Sequence, residues 1–200
     1  MCPLALQAKV EKEACAVTDW RELAGLRILR VASTLGLDKI ARLGASMHPF
    51  SEHFKGFEKV KAVKEIFGDR TDEILHGLKV ELFWTNGYMW VSNRDGHLVV
   101  SARYLNEGDR VDIYLDVIHE LVHVKQFMEG KELFDERYDY VERPTEIEAY
   151  RHTVAEARRM GLSEERIMEY LATEWMSEHD LERLAKTLDI KTRKRRINSS

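Results

Sequence analysis

His119, Glu120 and His123 belong to the run His119-Glu120-Leu121-Val122-His123. On a helix, residues four apart lie one above the other, so both imidazoles point into one cleft and can share a single Zn²⁺. Glu120 then stands beside the ion without binding it, where it can take a proton from a metal-bound water whose pKa the ion has lowered. The chemistry is hydrolysis by metal-activated water, as in the helical zinc site of a metallopeptidase. Chance alone produces such a five-residue pattern with a probability on the order of a few per cent in a chain of this size, so the surroundings must decide. Val111 to Ile118 before the motif and Val124 to Met128 after it read as a mostly apolar helix, bounded by Gly108-Asp109 and by Gly130. Asp112, Asp116, His119, His123 and Gln126 fall on its cleft face. A zinc helix is buried in this way to hold its ligands rigid.

A hydrolytic zinc site needs a third protein ligand and one position left for water. The pattern with a third histidine shortly after the motif fails, because position 126 is Gln where Gly is needed and position 129 is Glu where His is needed. The next acidic candidates lie in Arg143-Pro144-Thr145-Glu146-Ile147-Glu148-Ala149-Tyr150, where Pro144 is preset for a first helical turn. Glu146 and Glu148 are two apart on that helix, so only one of them can face the metal.

With this second motif the chain resembles the gluzincins, thermolysin-like zinc metallopeptidases in which HExxH on one helix is completed by a Glu on the next. The family's Glu-x-x-Ala-Asp pattern, laid on residues 146–150, implies Glu146 as the third ligand and Ala149 as the small residue that lets the two helices approach. Tyr150 stands where the family has an Asp that bonds a ligand histidine; Asp116, one turn before His119, or Tyr150 itself is expected in that role. The resemblance spans roughly residues 97–160. It implies a zincin-like α+β domain in which His119, His123 and Glu146 hold one Zn²⁺, Glu120 is the general base and a peptide or protein is the substrate. Such a site also needs a donor for the developing oxyanion, and the candidates are Tyr138 and Tyr140 between the ligand helices and the later His179. The alternative is a catalytically silent zinc-binding protein, or a regulatory module acting on one protein partner. Retention of Glu120 favours catalysis, since a structural zinc is more often closed by four protein ligands.

The rest of the chain suits such an enzyme. It has 200 residues, 44% of them hydrophobic, and a mean hydropathy of −0.42, the profile of one soluble domain with a real core. No apolar run approaches the roughly 18 residues needed to cross a bilayer. Lys9, Glu11, Lys12 and Glu13 stand where a signal peptide would be apolar, so a cytoplasmic location without a membrane partner is expected. Cys2 and Cys15 match no metal or disulfide framework and are read as reduced thiols. The net charge is −4, yet Lys191, Arg193, Lys194, Arg195 and Arg196 crowd the last ten residues. The body is therefore strongly acidic and a poor non-specific ligand for nucleic acid. Residues 191–200 are expected as a solvated basic tail behind a single domain over 1–190. His48, His53, His76, His97 and His152 show no partner pattern and are read as surface or hydrogen-bonded core residues.

The elements that must position the site follow from period and punctuation. Asp19-Trp20-Arg21-Glu22 reads as a capping box opening a helix that Gly36 ends, and a second helix is expected from Phe54 to Phe67. Val80–Trp84, Tyr88–Ser92 and His97–Ser101 read as three strands of a small antiparallel sheet, joined by turns at Asn86-Gly87 and Asp95-Gly96. The stretch from Leu98 to Tyr104 is expected as an open sheet edge beside the metal. Beyond the Glu146 helix, Gly161 and Ser163 stop one helix and cap another, and Ser177 starts a last one, bracing the back of the site.

Overall fold

Alternation of burial builds the sheet. In the computed structural model, which describes residues 46–83 and 87–191, strand β2 (Lys79–Phe83) turns Val80 and Leu82 inward. Strand β3 (Met89–Val91) turns Met89 and Val91 inward and leaves Trp90 outside. Strand β4 (Leu98–Ser101) is buried at every position, as a strand covered on both faces must be. The helix expected from Asp19 to Gly36, both cysteines, Trp84, Asn86 and the tail beyond Lys191 lie outside the described residues.

The protein is α+β, with a small open mixed sheet of four strands in the order β1-β2-β4-β3, where β1 is Ser46–Pro49. This corrects the expected three-stranded antiparallel sheet in two ways. A fourth strand, β1, pairs antiparallel with β2, and β2 pairs in parallel with β4 rather than with β3. Only the Asp95-Gly96 connection is a hairpin, joining β3 to β4. Alternation fixes which face a residue occupies but not which strand lies next to it. The expected open edge moves as well: Leu98–Ser101 is an interior strand, residues 102–104 are helical, and among the described residues the edges are β1 and β3.

The first helical part is also more broken than its periodicity suggests. Helix α1 (Phe50–His53) ends at Phe54, Gly56 turns left-handed at φ 91 into the Phe57–Lys59 turn, and Val60 is extended at φ −69, ψ 129 before α2 (Lys61–Phe67) begins. Helix α3 (Thr71–Gly77) follows, and Phe50, Phe54 and Phe57 pack edge to face in the core beneath these turns.

After β4 a short helix α4 (Ala102–Glu107) leads into α5 (Arg110–Met128), the axis of the molecule. The Asp109 carboxylate caps α5 by accepting from Val111 and Asp112 N–H. Gly130, at φ 72, closes its other end, with the Gly130 and Lys131 amides returning to the Phe127 and Gln126 carbonyls. Ile113, Leu115, Val117, Ile118, Leu121 and Val122 are fully buried, because α5 packs against β3, α2 and the return helix α6 (Pro144–Arg159) together. Gly161, at φ 82, ends α6; Ser163 and Ser177 cap α7 (Glu164–Leu171) and α8 (Glu178–Thr187), as their spacing predicts.

The β3–β4 turn sets sheet against helix at one tight point. Gly96 has φ +75, and a Cβ there would collide with the Phe127 ring on α5. Gly96→Ala is therefore expected to destabilise the fold by about 2 kcal/mol or more, combining left-handed strain with overpacking. Equilibrium denaturant unfolding reads this; an unchanged midpoint would place the turn away from α5.

Candidate metal centre

Two side chains one helical turn apart and a third on the return helix meet in the interior. His119 Nε2 lies 3.0 Å from His123 Nε2, and Glu146 Oε2 lies 3.2 Å from the first and 3.5 Å from the second. All three residues are buried, and their donor atoms fall within 4.8 Å of one another. Donors held about 2.0–2.1 Å from one tetrahedral Zn²⁺ lie about 3.3 Å apart, so the spacing suits such an ion. The Nε2 atoms of both imidazoles face the same carboxylate oxygen, a two-nitrogen, one-oxygen set of the kind a hydrolytic zinc site uses.

Two of the three converging side chains are aimed by a neighbour. Glu146 is the third residue of α6, in the positive field of that helix N-terminus, and Arg143 Nη1 lies 3.7 Å from its other oxygen. His123 Nδ1–H donates to Gln126 Oε1 at 2.7 Å, which anchors the ring with Nε2 toward Glu146. The Gln126 amide in turn donates to Thr145 O at 3.0 Å and to Glu148 Oε2 at 2.9 Å, tying α5 to the start of α6. Glu148 thus faces Gln126 and Lys131, not the imidazoles.

The expected support of a ligand histidine by Asp116 or Tyr150 is corrected here. Asp116 accepts from Tyr104 OH at 2.5 Å and Tyr170 OH at 2.8 Å. Tyr150 bonds Tyr140 OH at 2.9 Å and sets its ring edge-on 4.5 Å from the His119 ring. His119 Nδ1 has no hydrogen-bond partner among the described residues. Gln126 and Arg143 are the orienting residues that sequence reasoning missed; their signal was a position three from a ligand on each helix.

Burial sets the electrostatics. It opposes charge on His123, but the hydrogen bond to Glu146 and the charges of Glu120 and Glu146 outweigh it and lift the imidazole to about 9. Burial also opposes charge on Glu146, yet the two imidazoles hold its carboxyl well below the usual range. His119 is pushed down, chiefly by burial. Glu120 is pushed up to about 8 by burial, against a backbone hydrogen bond from Val91 on β3. Its Oε2 is buried without a hydrogen-bond partner. A buried carboxyl oxygen without a partner costs a fold on the order of 1–3 kcal/mol, and a cation with its water beside Glu120 would satisfy it.

Two cavities meet at the motif. One, of about 350 Å³, runs past Asp116, Tyr104, Tyr170 and Trp175; the other, of about 170 Å³, is lined by Trp90, Leu133, Phe134 and the three converging residues. Met89, His119, Glu120 and Tyr140 line both. Among the three oxyanion-donor candidates, only Tyr140 reaches the cleft; Tyr138 and His179 are exposed and line neither cavity. Burial raises Tyr140 well above the ordinary tyrosine value, so its hydroxyl stays a donor. The C-terminal elements form a wall of the cleft rather than its back: α7 supplies Tyr170, while Arg183 of α8 pairs with Glu142 at 2.5 Å in the Tyr140–Glu142 turn.

His97, read as a surface or hydrogen-bonded core residue, is buried and bridges Glu81 at 2.9 Å and Asp95 at 2.5 Å. His48, Glu52 and His53 also bring donor atoms within 4.8 Å, although Glu52 is largely exposed there. Comparison with protein-family models, curated proteins and solved structures finds no match to the chain. No helix among the described residues is long and apolar enough to cross a membrane.

The orienting network makes a ranked prediction. Glu146→Gln should weaken zinc binding more than about tenfold by removing a ligand charge, and Gln126→Leu by about tenfold through the His123 ring it anchors. Glu148→Gln, which acts only through Gln126, should change it little. Competition with a chromophoric chelator measures all three, and a loss at Glu148 matching that at Glu146 would contradict the assignment.

Proposed function

We propose that the protein is a zincin-like zinc peptidase of the gluzincin type, with His119, His123 and Glu146 as ligands and Glu120 as general base. The observation that carries this reading is the convergence of His119 Nε2, His123 Nε2 and Glu146 Oε2 beside an unpaired, buried Glu120 oxygen. Zn²⁺ bound there would act as a Lewis acid on water and on a substrate carbonyl.

The remaining steps belong to the chain itself. An extended peptide adds to the edge strand β3 by main-chain hydrogen bonds, which brings its carbonyl to the point where the two cavities meet. Glu120 accepts the proton of the attacking water and passes it to the leaving amine. The Tyr140 hydroxyl donates to the carbonyl oxygen as negative charge builds there. Arg143, Gln126 and the N-terminus of α6 keep the ligands in register through the cycle.

The test is a peptide pool incubated with metal-free protein and with zinc-loaded protein, followed by mass spectrometry of new termini. New termini only with zinc are expected; identical pools would overturn the reading.

A further inference from the structure

The larger cavity has a chemistry that zinc hydrolysis does not require. Its lining contains no lysine or arginine, but it includes Asp112, Asp116, Glu169 and Glu174. Asp112 is already paired with Arg166 of α7. Asp116 is not so neutralised: its two oxygens accept one hydroxyl each, from Tyr104 and Tyr170. A carboxylate offers about four acceptor positions, so capacity remains on the side facing the cavity.

Aromatic rings lead from solvent to this carboxylate. Trp175 is 58% exposed and meets Tyr88, 37% exposed, at a ring distance of 5.3 Å; Tyr88 meets Tyr104 at 5.0 Å, and Tyr104 hydroxyl bonds Asp116. Ring faces with a carboxylate behind them favour a cation, and most of all a guanidinium, which stacks flat and donates in a fork. Glu120, nine-tenths buried and with one unpartnered oxygen, lines the same cavity beside His119, so this is its reacting end. Beyond Glu120 the smaller cavity carries the three converging side chains together with an apolar wall of Leu133, Phe134 and Trp90.

We propose that the Trp175–Tyr88–Tyr104–Asp116 wall is a specificity subsite for an arginine or lysine side chain flanking the scissile bond, with an apolar residue on the bond's other side. This rests on the peptidase reading and names its substrate class. Glu169 and Glu174 add negative charge at the cavity and draw basic segments to it.

The experiment uses the full chain loaded with zinc and two readouts. Cleavage is followed with matched peptides carrying Arg, norleucine or Glu at the flanking position. Binding is followed calorimetrically with the same peptides and the Glu120→Gln protein. The Arg peptide should be cleaved with kcat/KM more than about tenfold above norleucine, bind tighter by a similar factor, and leave the Glu peptide last. Asp116→Asn and Trp175→Phe, both conservative enough to fold, should shrink the Arg advantage in binding and cleavage alike. Equal handling of Arg and norleucine, or an advantage untouched by both substitutions, overturns the subsite. Arg-selective, Asp116-dependent binding without any cleavage would support the subsite and overturn the peptidase reading. No binding of any peptide would overturn both.

Discussion

Glu120→Gln is expected to keep its zinc and to slow peptide hydrolysis at least about a hundredfold. Gln matches the size and hydrogen bonding of Glu but cannot accept the water proton, and Glu120 is not one of the three converging donors. Cleavage that survives the change would belong to a contaminant or to another base. The same variant carries a stability signature in the metal-free protein. Burial raises the Glu120 carboxyl from 4.5 to about 8, so the unfolded chain ionises first, and folding loses stability as pH rises through that window. Glu120→Gln lacks this loss. Its midpoint in urea should therefore overtake that of the metal-free wild type between pH 5 and 8, in about the range just given. Parallel profiles for the two proteins would place the carboxylate in solvent.

His119→Ala or His123→Ala should abolish most zinc binding, because either leaves a pair of donors that holds the ion weakly. The two variants should part company once metal is removed. His123 carries the charge that faces Glu146, whereas burial keeps His119 neutral. Deleting His123 thus leaves Glu146 buried with a neutral His119 and with Arg143 as the one cation beside it among the described residues, and should cost about 2 kcal/mol more than deleting His119. Urea unfolding of the metal-free variants measures the difference; a reversed order would mean that the proton sits on His119.

The helix carrying the motif was legible because its ends are chemical. Asp109 caps it and Gly130 closes it, and both effects are local. Glu146 was only half legible: residue spacing left it level with Glu148, and the family pattern chose between them. In the structure Gln126 occupies the Glu148 carboxylate, a contact across 22 residues that no periodicity reports. The sheet was misread for a related reason. Asn86-Gly87 carries a hairpin signal, yet β2 takes β4 as its neighbour, since burial of β4 on both faces outweighs a local turn preference. Asp116 was visible as a polar residue on a buried helix, but its tyrosine partners lie on α4 and α7 and hold it at the larger cavity rather than against His119 or His123.

Zinc titration of hydrolysis tests the account most directly. Metal-free protein carrying His53→Ala, which removes the second group of His48, Glu52 and His53 from the count, would receive Zn²⁺ in substoichiometric steps while cleavage of a basic peptide is followed. Cleavage is predicted to rise in proportion to added zinc and to level at one ion per chain, with no rise in His119→Ala. Cleavage without zinc, or an unchanged rise in His119→Ala, would contradict the assignment of His119, His123 and Glu146 as the centre of a zinc peptidase.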